Sequence, residues 1–138
     1  MNIDELKRRL DFIVKSADLI GESEKLINDL QSSESGLEAV SEILRCMEVN
    51  PTVDFGAPGP FVHFVERFYK RGYEGELLKS IMRQPTPHTV WMLNRVINGT
   101  KNIDEVGKLI GIMKSVVDNK NVDEATKAMA KHFLERMN

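Results

Sequence analysis

The sequence predicts an all-α protein, and three observations carry that expectation. Apolar residues recur at three- and four-residue steps along nearly the whole chain, as amphipathic helices require. No segment sustains the apolar–polar alternation of a half-buried strand. Proline, glycine and short polar runs punctuate the periodic stretches, marking out about eight helices of roughly 10–18 residues. The expected architecture is a right-handed stack of antiparallel helix pairs, HEAT- or armadillo-like, with a compact irregular bundle as the alternative.

Each element follows from local signals. Ile3, Leu6, Leu10, Ile13, Ala17 and Ile20 form one apolar stripe, which predicts a first helix ending at Gly21. Ser23 is the expected cap of a short second helix carrying Leu26, Ile27 and Leu30. Ser35 and Glu38 have capping-box spacing before a third helix, whose inner face holds Leu37, Val40, Ile43, Leu44 and Met47. Asn50-Pro51 stops it, and residues 51–60, with three Pro and two Gly, are the clearest loop. Pro60 suits the first turn of a fourth helix over about 60–71, apolar around most of its circumference and therefore expected to be central.

A fifth helix over about 73–84 is expected to bury Leu77, Leu78, Ile81 and Met82. Gln84-Pro85-Thr86-Pro87 breaks it, with Thr86 as cap and Pro87 in the first turn of a sixth helix that ends at Asn98-Gly99. Ile103, Val106, Leu109, Ile110, Met113, Val116 and Val117 stripe a seventh over 103–118. Val122, Ala125, Met129, Phe133 and Met137 stripe the last. The whole reads as a single helical domain, 1–138: acidic N-terminal helices over 1–50, a loop over 51–60, then central and C-terminal helices over 60–138.

Composition narrows the function classes. With 138 residues, 41% hydrophobic and 29% charged, this is an ordinary globular composition, which excludes disordered and disulfide-rich classes. Cys46 is the sole cysteine, so neither an internal disulfide nor a multi-cysteine metal site is possible. The opening Met-Asn-Ile-Asp-Glu-Leu-Lys-Arg-Arg lacks the apolar core of a secretory leader. No apolar run approaches the length that crosses a bilayer, and the cytoplasm is the expected compartment.

Charge is balanced overall, at −2, but not along the chain. Residues 1–54 carry twelve acids and six bases, while residues 55–138 carry nine acids and thirteen bases. The stretch 18–48 is the extreme, with eight acids against Lys25 and Arg45. No nucleic-acid partner is expected, because phosphate neutralisation needs clustered Lys and Arg. An acidic half suits a basic protein partner, since opposite fields steer encounter. The plainer reading is a solvated helix face. Glu34, Glu38 and Glu42 nonetheless stand at four-residue steps, where like charges cost a helix a few tenths of a kcal/mol per pair.

Candidate chemistry mostly dissolves. His63, His88 and His132 fall on three helices without the spacing of a zinc site. His63 and Glu66 lie at i, i+3, as ligands do in bundle metal sites, but only one copy is present and no metal is expected. Gly56-Ala57-Pro58-Gly59-Pro60 lacks the Lys-Ser/Thr pair of a phosphate loop, and its prolines remove N–H donors. Cys46 has no neighbouring His to activate it. Trp91 and the phenylalanines of 61–68 read as core. No catalytic constellation survives, so the chain is read as a binding protein rather than an enzyme, with no cofactor.

Residues 54–99 resemble the central region of a family of small bacterial immunity proteins from polymorphic-toxin and contact-dependent growth-inhibition systems. The most specific pieces are Pro58-Gly59-Pro60 with Val62-His63 and Glu66, followed by Pro85-Thr86-Pro87-His88-Thr89-Val90-Trp91-Met92-Leu93-Asn94-Arg95. The resemblance covers about a third of the chain. It implies a cytoplasmic protein that binds a cognate toxin domain, often a nuclease with a basic substrate-binding surface, and neutralises it. The matched segment is mainly apolar, proline and capping residues, so it reads as scaffold, with His63, Glu66, His88 and Asn94 as internal polar links. The expected toxin-binding residues are Asp29, Glu34, Glu38, Glu42 and Glu48. Two other classes stand beside this reading. A helical adaptor holding an amphipathic peptide should expose an apolar or Met-rich groove, and an enzyme built on His63, Glu66 and His88 requires those residues to converge.

Overall fold

A computed structural model describes residues 1–31 and 36–137. Among the described residues there are eight helices and no strand: α1 (Ile3–Val14), α2 (Leu19–Gln31), α3 (Gly36–Val49), α4 (Pro60–Glu66), α5 (Tyr73–Arg83), α6 (Pro87–Gly99), α7 (Ile103–Asp118) and α8 (Glu124–Arg136). The all-α class is as expected. The chain divides into two compact units, Met1–Leu78 and Lys79–Asn138, with α5 running across the boundary.

In the first unit α1 packs on α2 and α3, and α4 packs on the same two helices. Its core is drawn from one face of each, including Leu10 and Ile13 of α1, Leu26 of α2, Ile43 and Leu44 of α3, and Phe61 and Val65 of α4. Phe55, from the loop before α4, is fully buried and lies tilted against Phe61, ring centroids 6.1 Å apart. In the second unit α6, α7 and α8 pack against one another over Val90, Leu93, Leu109, Met113, Val116 and Ala130. These pairings are those of helical bundles and do not establish the HEAT- or armadillo-like stack.

Caps explain the boundaries. Asn2, Asn102 and Asp123 each accept a backbone N–H three residues on, at 2.8, 3.1 and 2.7 Å, and so start α1, α7 and α8. Thr126 supports Asp123 through side chain and backbone, holding that carboxyl below its usual range. At α6 the expected Thr86 cap is present and reciprocal. Thr89 N–H donates to Thr86 Oγ1 at 3.1 Å, and Thr86 N–H donates to Thr89 Oγ1 at 3.1 Å.

Three expected elements are corrected. The first apolar stripe is not one helix: α1 ends at Val14 and α2 begins at Leu19. Asp18 supplies the break, its Oδ1 accepting from Gly21 N–H at 3.1 Å while Ser16 Oγ accepts from Asp18 N–H. Ser23 is therefore no cap but a buried interior residue of α2, its hydroxyl donating to the Leu19 carbonyl at 2.6 Å. The expected Ser35 cap lies outside the described residues.

The fourth helix stops at Glu66 rather than near residue 71. Beyond it the Phe68 carbonyl accepts from both Arg71 and Tyr73 N–H, and Lys70 and Gly72 take left-handed φ values of 62° and 116°. Lys70 N–H is drawn out of the helical ladder by the Glu74 carboxylate, 2.9 Å to each oxygen. The left-handed φ at Gly72 favours glycine; the Leu37 methyls, 2.9 Å from where a β-carbon would stand, are the movable ends of an exposed side chain.

Several stripe members point outward. Met82 is 80% exposed, because the inward side of α5 is set by Leu77 and Ile81 and the next residue turns away. Ile103 is 86% exposed at the first turn of α7, beyond the packed part of the helix. Leu37, in the first turn of α3, is also exposed.

Candidate functional site

The acidic face of the first unit begins with the register of α3. Ala39, Val40, Ile43, Leu44 and Met47 face the core, which leaves Glu38, Glu42, Arg45 and Val49 along a different strip of the helix. Glu38 is exposed and Glu42 half-buried, and among the described residues no ion pair holds either. Alongside this strip runs a groove of about 520 Å³ between α1 and α3. Lys7 and Asp11 line it from α1, and Glu42, Arg45 and Val49 line it from α3, with Leu10 and Cys46 at its apolar base.

Of the remaining expected contact residues, the two that are described, Asp29 and Glu48, do not join this row. Asp29 lies on α2 and forms an ion pair with Arg9 of α1, so part of its charge is answered within the protein. Glu48 is half-buried and engaged within the chain; six positions past Glu42, it projects from another side of α3. Glu34 lies outside the described residues. Asp11 is the acid that sequence reasoning missed. Its signal was present: Lys7 and Asp11 stand one turn apart beside the inward Leu10.

Cys46 is 8% exposed at the base of this groove. Burial first, then the negative charge of Asp11, push its thiol up to about 11, against a pull from the Asn50 carboxamide. That carboxamide also donates to the Cys46 carbonyl at 2.8 Å. The neutral thiol is therefore the form the fold favours. This contribution to stability is whole below the unfolded thiol's value of 9.0 and is lost as pH rises through about 11. At pH 8, alkylation of Cys46 in the native protein is expected to run on the order of 100-fold slower than in urea-unfolded chain. Equal rates would show an accessible, ionising thiol.

The four residues read as internal polar links are distributed differently. His63 is exposed on α4, not internal. Glu66 is half-buried at the end of that helix and engaged within the protein. In the second unit His88 is half-buried, its ring centroid 5.5 Å from that of Trp91. Arg95 lies over the Trp91 ring, 5.1 Å from its centroid, so Trp91 is a half-buried stacking platform rather than plain core. Asn94 is half-buried and lines a recess of about 360 Å³ with Asn98, Phe133 and Arg136. Among the described residues no three His, Cys, Asp or Glu side chains are grouped to hold a metal ion. No described helix is long and apolar enough to cross a membrane.

The uneven charge of the sequence coincides with the division of the fold. The first unit carries fifteen acids against nine bases, a net −6, and the second six acids against ten bases, a net +4. Comparison with known proteins finds no matching family model, no matching curated protein and no matching solved structure.

Proposed function

We propose that this chain is an immunity protein, binding a cognate bacterial toxin domain in the cytoplasm and neutralising it. The observation that supports this most is the net −6 of the first unit, with Glu38 and Glu42 held on one side of α3 and Asp11 beside them on α1. Such a surface suits a basic partner, and a nuclease domain has a basic cleft because its substrate is a polyanion. Neutralisation is by occlusion: substrate phosphates and the carboxylates of α3 and α1 compete for the same Lys and Arg side chains. The family resemblance of residues 54–99 points the same way. On this reading the chain binds no nucleic acid itself, does no catalysis and needs no cofactor.

The test is co-expression with a toxic domain taken from the genes flanking the one for this chain. Growth restored by this chain, and not by an unrelated acidic helical protein, is the expected result. Full toxicity in the presence of folded, soluble chain would overturn the proposal.

A further inference from the structure

A second groove of about 410 Å³ runs along the first unit between α2 and α4, and it belongs to none of the acidic surface described above. From α2 it is lined by Ile20, Glu24, Ile27 and Gln31, which are spaced four, three and four residues apart. That spacing places them on one seam, as in a helix that packs along another helix. Ile20 is 43% exposed, while Ile27 and Phe64 form a buried apolar floor. The facing wall is Pro58 of the loop and Pro60 at the start of α4, continued by His63 of α4 and by Arg67 just past its end.

We infer that this groove is a docking site for an amphipathic helix of a partner protein. The α2 seam spans twelve residues, Ile20 to Gln31, about 16 Å or three turns, so its length matches a short helix. The volume has room for a few apolar anchor side chains, with the rest of the helix riding on the rim. The two walls differ in sign. Glu24 stands on α2 and Arg67 at the C-cap of α4, and among the described residues neither is held by an ion pair. A fitting helix carries an apolar stripe flanked by a base on one edge and an acid on the other.

This charge pattern disfavours an anionic lipid surface, which would meet Glu24. The concavity disfavours the same groove of a second copy, because two concave surfaces leave a void. The wall is also preformed. Gly59 is buried against the Phe55 carbonyl, and Phe55 is locked in the core, so little ordering is needed on binding. The proline-rich segment that reads as scaffold in the sequence thus builds one side of a site. The inference does not depend on the partner being a toxin.

The experiment uses the full chain, labelled with 15N, and three acetylated amphipathic peptides of about 14 residues sharing one leucine stripe. One carries Glu on one edge and Lys on the other, one carries Lys on both, and one carries Glu on both. Amide shifts centred on Ile20, Glu24, Gln31, His63 and Arg67, with the mixed peptide binding tightest, are expected. Ile20→Asp, at an exposed position checked for native spectra, should weaken that binding at least about tenfold. With Glu24→Lys the Glu/Glu peptide should become the best ligand, and with Arg67→Glu the Lys/Lys peptide. Absence of shifts at saturating peptide, shifts centred elsewhere, an unchanged ranking in both variants, or self-association through this groove without peptide would each overturn the inference.

Discussion

Replacing Gly59 with Ala is expected to lower the stability of the folded chain by about 1–3 kcal/mol, the range for forcing extra atoms into a packed site. The cause is not backbone freedom, since Gly59 has an extended conformation that any residue adopts, with φ −119° and ψ −171°. It is close approach. A β-carbon there would overlap the Phe55 carbonyl oxygen and stand 3.0 Å from Gly56 Cα. Both obstacles are main chain, so no rotamer change relieves them. Gly56 is itself held at φ 93°, and Phe55 is 1% exposed against Phe61, so the strain passes straight into the core. Gly111→Ala is the control: it lies inside α7 with nothing within 4 Å of an added β-carbon, and should gain up to about 1 kcal/mol. Urea denaturation of both variants measures the pair. A Gly59→Ala chain as stable as wild type would show that the loop before α4 yields easily.

The other large effect concerns binding. Reversing Glu38 and Glu42 to Lys together should weaken the complex with a basic toxin domain by about 10- to 100-fold at low salt, chiefly through slower association. The change also touches the fold: Glu38 stands in the first turn of α3, where an acid suits the helix dipole, and Glu42 lines the groove with Lys7 and Arg45, so two lysines add repulsion there. Stability is expected to fall by roughly 1 kcal/mol, and a native spectrum of the double variant is the control. Asp29→Lys serves as the comparison. It breaks the Arg9 pair on another helix and should move affinity far less. If the double reversal leaves affinity unchanged while Asp29→Lys abolishes it, the contact surface lies on α2 and the α3 row is solvated decoration.

The contrast between the two units shows what a sequence can and cannot reveal. The all-α class, the Pro60 start, the Thr86 cap and the 103–118 span were legible because each rests on neighbours within a few residues. The break at Asp18 was missed because an apolar stripe continued through it; the cap competes with the stripe locally, and Asp18 with Ser16 wins. The early end of α4 depends on Glu74 reaching back to the Lys70 N–H, which no periodicity reveals.

The candidate site was legible only in part, for the same reason. Glu38 and Glu42 share a strip because helix geometry requires it. Which acids are neutralised depends on how helices pair, and the Arg9–Asp29 ion pair joins residues twenty positions apart. Pairing of α1 with α3 likewise brings Lys7 and Asp11 to the row. The α2–α4 groove is a product of that same pairing, with a seam of two isoleucines that one-dimensional reading assigns to two different helices.

Electrostatic capture of a basic partner is tested most directly by calorimetric titration of the proposed cognate toxin domain into this chain at low and then high salt. Affinity falling steeply with salt, with the Glu38→Lys/Glu42→Lys chain weak at low salt and nearly level with wild type at high salt, is the expected result. Tight binding that is indifferent to salt would contradict the electrostatic mechanism, and no binding at any salt would contradict the function.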